Sequence, residues 1–464
     1  MTTVLEFPQN AQYRRRLPWF TFVVFTLAFF IALHDASRSF SIEGDYLPSE
    51  DTLKKHASEG NARRQIGFVM AGAFGIFLLI RHDRRPLVMN GFLAALILFF
   101  LTWMVLSISW ADERALTARR LVVIAMLALG ALGVATQMNP REITLFVLFC
   151  SVVYLIAGVA SELSLGTFTP AAERYRFSGT IHPNNQGVNC SLILLSSAAA
   201  AQSEKRWRKL FLCCAAAAMV FLLLTKSRTS LLSFLVTFGA YCLLVYGRSR
   251  HFAYVCSLLV TAALLAVLLA NGAIMPALEH GILLGRDDQD LSGAMSLTGR
   301  LPLWQNLLEY AAERPIQGYG YGSFFTLQHI REITATQGWP IAECHSVFLE
   351  VLMGLGIVGV TSYTLIQFIG IGRSMRYFRI TRDPNQAFLG SLLILGVVGG
   401  LAESTLLVPT MQTFVQFMTL AYFAFQAAPE AVRRHAAAAE RRKFSTPTFQ
   451  AGPPLRPIVR GDKA

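Results

Sequence analysis

Apolar runs close to the length of a bilayer crossing recur from one end of this chain to the other, and they leave few folds open. A hydrocarbon core needs roughly 20 apolar residues of helix to cross it. Runs of about that kind are read at residues 17–33, 66–80, 87–109, 121–137, 143–165, 186–201, 210–224, 230–246, 252–270, 346–371, 386–402 and 410–426. The expected fold is therefore all-α: a polytopic membrane protein of about 12 transmembrane helices, with one large helical loop. Composition agrees, at 54% hydrophobic and only 15% charged residues, where a soluble domain carries about 25% charged. The second and seventh runs are short and need snorkelling flanks or local thinning of the bilayer. No fixed repeat is visible. The two halves lack matching Gly- or Pro-broken spans, which counts against a transporter of inverted repeats.

The formal net charge of +13 could suggest nucleic acid, but the distribution of the basic residues explains it otherwise. Cytoplasmic loops collect Lys and Arg. With the N-terminus inside, alternate connections carry RHDRR (81–85), Arg141, EKRWRK (204–209), GRSR (247–250) and the cluster Arg373, Arg376, Arg379 and Arg382. The end of the chain adds Arg433, Arg434, Arg441, Arg442 and Lys443. Both termini are expected in the cytoplasm, and no nucleic-acid partner is expected. Arg14, Arg15 and Arg16 precede the first run, which reads as an uncleaved anchor. The domain reading is residues 1–270 for spans one to nine, 271–345 for a large outer loop, 346–426 for spans ten to twelve, and 427–464 for a basic tail expected without structure. Residues 34–65, mixed in charge, receive no role. The seven cysteines show no disulfide framework, and no Cys/His cluster has metal-ligand spacing.

The exceptions to this charge pattern are the candidate site. Arg174 and Arg176 lie in ERYRFSGTIHPNN, Lys226 and Arg228 in the very short turn TKSRTS, and Arg300 opens the helix of the large loop. Basic side chains at the hydrocarbon boundary on the outer side need partners. Each alone could snorkel to lipid phosphate. Together they suit a membrane-bound anion, because guanidinium forks match phosphate oxygens. Asn184 and Asn185 open the sixth span, where free N–H groups can cap the helix or hold an oxyanion. His182, next to Pro183, is a weaker catalytic candidate.

In the large loop, LPLWQNLLEYAAERP reads as an amphipathic helix, with Pro302 in its first turn and Pro315 ending it. Trp304, Leu307, Leu308 and Ala311 are expected on one face. GYGYG (318–322), with Tyr319 and Tyr321, permits close backbone approach, but it lacks the spacing and lysine of a nucleotide-binding P-loop. His345 lies at the boundary of the tenth span, with Glu343 two residues before it and Glu350 five after. A histidine there can accept a proton from a hydroxyl near neutral pH. The alternative is an interfacial histidine with a structural hydrogen bond, Glu343 then being the base.

Four fragments in order, FSGTIHPNNQG, KSRTS, TGRLPLW…PIQGYGYGSF and HSVFLEVLMGLGIVG, resemble the O-antigen ligase/polymerase superfamily of bacterial envelope glycosyltransferases. The resemblance covers about residues 170–370. It implies a GT-C-like enzyme of the inner membrane, needing no metal or other cofactor and working on the periplasmic side. Such an enzyme moves a glycan from undecaprenyl pyrophosphate to the hydroxyl of a glycan acceptor. Carried over by position, Arg176, Arg228 and Arg300 would bind the pyrophosphate and His345 would be the base. Arg174 and Lys226 would assist the anion, and Asn184, Asn185, Trp304, Tyr319 and Tyr321 would support the site. The wording of the loop is similar to that of exopolysaccharide polymerases of the succinoglycan type, which implies lipid-linked repeat units as donor and acceptor and a chain-length regulator as a partner. A ligase acting on lipid A core is the alternative. A flippase for lipid-linked oligosaccharide is the alternative from another class, and it would place its charges nearer the membrane midplane.

Overall fold

The computed structural model describes residues 18–33, 62–81, 85–172, 175–247, 300–337, 341 and 343–444. Among them are fourteen α-helices. They are α1 (Trp19–Leu33), α2 (Ala62–Ile80), α3 (Gly91–Leu106), α4 (Arg114–Gln137), α5 (Pro140–Ser164), α6 (Pro183–Ser203) and α7 (Arg208–Leu224). There follow α8 (Arg228–Tyr246), α9 (Arg300–Glu313), α10 (Leu327–Gln337), α11 (Val347–Thr381), α12 (Pro384–Gly400), α13 (Met411–Phe425) and α14 (Glu430–Phe444).

Helices stand at eleven of the expected runs; the ninth, 252–270, and the loop residues 271–299 lie outside the described residues. The protein is an all-α, multi-pass membrane protein. Seven helices, α2, α3, α4, α5, α7, α8 and α11, are long and apolar enough to cross a bilayer, and α1 and α12 are apolar but shorter. Twelve crossings therefore do not follow from length and composition. The reason lies in the packing. In α6, 15 of 21 residues are buried, and in α13, 13 of 15. These helices face protein rather than lipid, so they can carry Asn, Gln, Ser and Thr wherever a partner is at hand. Asn189 of α6, for example, donates to the Ser151 carbonyl of α5 at 3.1 Å. By contrast α7 and α8 expose Leu212, Val220, Leu232 and Leu243 on their outer sides.

Small residues set a close contact between α2 and α4. A Cβ on Gly75 of α2 would sit 2.4 Å from Gly130 Cα of α4, and one on Gly133 would sit 2.5 Å from the Gly75 carbonyl. Only glycine lets the two backbones approach this closely.

The two ends of the bundle differ. At one end Arg373 donates to the carbonyls of Phe423 (2.7 Å) and Asn90 (3.2 Å), closing the C-terminus of α13 as a cation should. Here too begins α14, where the composition reading expects no structure. Its sequence EAVRRHAAAAERRKF is made largely of strong helix formers, and an i,i+4 pair joins Glu430 to Arg434. Residues 445–464 lie outside the described residues. The opposite end carries α9, α10 and the N-termini of α6, α8 and α11.

There the GYGYG segment is wedged into the bundle. Helix α11 is broken at Gly356 (φ 65°, ψ −164°). The groups freed by that break are taken by the loop: Ile357 N donates to Pro315 O, and Met353 O accepts from Tyr319 N, both at 2.8 Å. Trp103 of α3 adds its indole N–H to Leu355 O at 3.0 Å. A Cβ on Gly356 would lie 2.1 Å from Ile316 O, so only glycine admits the loop. Behind it α9 and α10 close a small core of their own, with Leu303, Leu307, Phe324, Ile330, Ile333 and Met353. Leu307 and Ala311 share the inward face of α9 as expected, but Leu308 is 50% exposed.

Candidate functional site

Helices α6, α8 and α9 bring their N-termini together around the loop that follows α12. Each cap follows from local sequence. Pro183 occupies the first turn of α6, and His182 caps it, its Nδ1 accepting from Asn184 N at 3.2 Å. The cap is thus histidine rather than asparagine, which gives His182 a structural role. Ser227 caps α8, its side chain accepting from Ser230 N. Ser230 Oγ in turn donates to Asn184 O at 2.9 Å, tying α8 to α6.

The polar side chains between them form an unbroken chain. Arg176 donates through Nε to Thr225 O (3.1 Å) and through Nη2 to Asn184 Oδ1 (3.2 Å). Asn184 Nδ2 donates to Glu403 Oε1 at 2.8 Å. Arg300 Nη2 pairs with the same oxygen at 3.1 Å, and Thr229 Oγ1 lies 3.4 Å from it. Arg300 Nη1 also donates to Ala402 O. Arg228 is the first residue of α8, beside Thr229, and half buried. The arrangement brings the Arg300 guanidinium and polar side chains from the first turns of α6 and α8 onto one carboxylate oxygen, as an anion site requires.

His345 stands at the edge of this cluster. Its Nδ1 is 3.2 Å from Glu343 Oε1. Its φ is 48°, a left-handed conformation that costs a non-glycine residue about 1–3 kcal/mol and has to be held by its surroundings. Trp304 holds it on one side, the indole N–H donating to Cys344 O at 3.0 Å. On the other, Ser346 Oγ lies 3.4 Å from Gly400 O. Burial, and then the neighbouring charge of Arg300, push the imidazole down to about 4, against a smaller opposing pull from Glu403. The ring is therefore neutral at pH 7 and can accept a proton. Burial pushes Glu343 up, while Arg300 and Arg64 oppose the shift. Burial likewise pushes Glu403 up, with Arg300 opposing.

The other candidates fall differently. Arg174 lies outside the described residues. Lys226 takes φ 48° in the turn before α8. Asn185, next to Asn184, makes no hydrogen bond to the cluster among the described residues. Tyr319 and Tyr321 are buried anchors. The hydroxyl of the first lies within hydrogen-bond distance of Tyr310 O (2.9 Å) and Glu313 (2.8 Å), under the Arg314 guanidinium. The second donates to Leu406 O at 2.9 Å, fixing the loop that carries Glu403.

Two acids are new. Glu403 is the hub of the chain just described. Glu162 of α5, 2% exposed, accepts from Ser178 N (2.9 Å), Gly179 N (2.7 Å) and Tyr175 OH (2.5 Å). It thereby shapes the turn that presents Arg176. Gly179, at φ 61°, lies against Gly158, where a Cβ would meet its Cα at 2.7 Å.

A family model described as O-antigen ligase (Wzy_C) matches residues 211–364. A curated O-antigen ligase of Pseudomonas aeruginosa is 26% identical over 110 residues, which is 24% of this chain and 25% of that protein. The chain is thus aligned with about a quarter of that relative. The matched family stretch holds Arg228, Arg300 and His345, while Arg176, Asn184 and Glu403 lie outside it.

Proposed function

We propose that this protein is a glycosyltransferase of the inner membrane that polymerises lipid-linked repeat units on the periplasmic face. It transfers the glycan from undecaprenyl pyrophosphate to a sugar hydroxyl. The observation that carries this reading is the chain Arg176–Asn184–Glu403–Arg300, with His345 and Glu343 beside it, at one end of a membrane bundle. The similarity to O-antigen ligases supports lipid-linked glycans as the substrate class.

In this reaction His345 takes the proton of the acceptor hydroxyl, and Glu343 orients the imidazole and offsets the charge it gains. The oxygen attacks the anomeric carbon as the bond to the diphosphate oxygen breaks, inverting that carbon. The electron pair leaves with the diphosphate, whose growing charge meets Arg176, Arg228 and Arg300 already in place. Nearness of site and bilayer surface keeps the diphosphate at headgroup level while its lipid remains in the membrane.

Purified protein given a short-chain polyprenyl diphosphate oligosaccharide should lengthen it. Arg228→Ala should abolish product, and Arg228→Lys should leave a small residue of activity, because a lysine keeps charge but not the two-pronged geometry. Native rates from well-folded Arg228→Ala protein would rule out the anion role. The name of the curated relative favours a second reading, a ligase. Transfer to purified lipid A core without any lengthening of the lipid-linked donor would select it.

A further inference from the structure

Among the described residues, Glu403 is the acid on which α6, α8 and α9 converge. Three donors, Asn184 Nδ2, Arg300 Nη2 and Thr229 Oγ1, converge on its Oε1 at 2.8, 3.1 and 3.4 Å. They come from the N-terminal turns of α6, α9 and α8. One carboxylate oxygen thus sits where a phosphoryl oxygen would find the same guanidinium, amide and hydroxyl groups.

We propose that Glu403 is the resident occupant of the diphosphate site: its carboxylate holds Arg300, Asn184 and Thr229 until the diphosphate of the lipid carrier takes those donors from it. This rests on the function proposed above and adds how the site is kept before substrate arrives. Comparison with Glu162 shows why the occupancy is exchangeable. Glu162 is enclosed and held by two backbone N–H groups of the turn that presents Arg176. The Glu403 side chain keeps 20% of its surface and is held mainly by side chains, with the Arg300 side chain 13% exposed. A partly exposed pair of this kind contributes little by itself. A diphosphate brings more charge and more oxygens to the same donors.

The exchange also prepares the base. Among the described residues, charged groups facing His345 include Glu343 from its own segment, Arg300 from α9 and Glu403 from the loop after α12, with Arg64 of α2 acting on Glu343. Burial holds the imidazole low, and the charge of Arg300 adds to it. Once the diphosphate neutralises Arg300, one of the two influences that hold the ring low is relieved, which favours a protonated ring. His345 becomes a stronger base when donor is bound.

The test is calorimetric binding of inorganic pyrophosphate, and of a short-chain polyprenyl diphosphate, to the purified full chain. Glu403→Gln should bind both about two- to fivefold more tightly than the native protein, since no carboxylate competes for the donors. Glu403→Asp, whose shorter arm cannot reach all three donors, should also bind more tightly and serves if the glutamine variant does not fold. Equal or weaker binding in the folded variants overturns the proposal and makes Glu403 a fixed support for Arg300. Arg228→Ala and Arg300→Ala separate this from the underlying reading: they should lose binding. If they bind as the native protein does, or if no form binds either probe, the anion site itself is wrong and the exchange falls with it.

Discussion

His345 shows how far one position can be read before its neighbours are known. Its place at a membrane boundary, with Glu343 two residues away, suggests a base with an ordinary histidine pKa of about 6.5, and so a loss of activity as pH falls through roughly 6–7. The folded environment moves that expectation. With the imidazole pushed down to about 4, the group that must be unprotonated stays so well below neutrality. The kcat/KM of the free enzyme should hold from about pH 7 to pH 5 and fall only as pH approaches 4. A limb near 6.5 in that profile would show that the imidazole is not held low in the free enzyme. His345→Gln should lose roughly 10²–10⁴-fold in kcat, and Glu343→Gln distinctly less, because it orients the ring; a dead Glu343→Gln beside an active His345→Gln would reverse the roles. Glu403 and Glu162 could not be read in this way. Each is a lone acid near the end of an apolar run. Their importance comes from donors far off in the chain, at separations of 219 residues for Asn184 and 103 for Arg300 in the case of Glu403. Arg228 and Arg300 were legible because they break the charge pattern of their surroundings, whereas an acid on the outer side breaks nothing.

The helices themselves were legible from apolar length, and their starts from Pro and Ser signals such as Pro183 and Ser227. What length could not show is which helix faces lipid. Helix α6 reads as one more span, yet it lies almost wholly among other helices, and its Asn and Ser residues are polar because protein surrounds them. The turn after α5 belongs to this scale as well. Glu162→Gln removes a charged acceptor from two backbone N–H groups and the Tyr175 hydroxyl, at a cost of about 1.5–3 kcal/mol. The purified variant should melt earlier, and the loosened Arg176 turn should raise KM for the lipid donor. An unchanged KM would show that Arg176 does not need that turn. The kink in α11 gives a sharper case. Gly356→Ala forces a Cβ against Ile316 O in a left-handed conformation, costing roughly 1–3 kcal/mol for the backbone alone. The melting temperature should fall, and activity with it, as the segment 315–322 is expelled; a variant that melts and turns over like the native protein would show that the segment does not depend on the break.

Across the whole molecule the polar site and the arginine-rich end are opposite poles of one bundle. The charge pattern predicts that they also lie on opposite sides of the membrane. Single cysteines at Glu332 on α10 and at Arg434 on α14, both exposed, should react with impermeant thiol reagents from opposite sides of sealed cells, in a background without the native cysteines; labelling from one side would overturn that orientation. The wedge at Gly356 then has a consequence for how such proteins can be recombined. Because Pro315 and Tyr319 supply the hydrogen bonds that α11 itself gives up, the outer loop is not a detachable module. A chimera that exchanges the loop alone leaves an amide and a carbonyl of α11 bare at the bilayer edge. Loop and helix can be inherited, or transplanted, only as a pair.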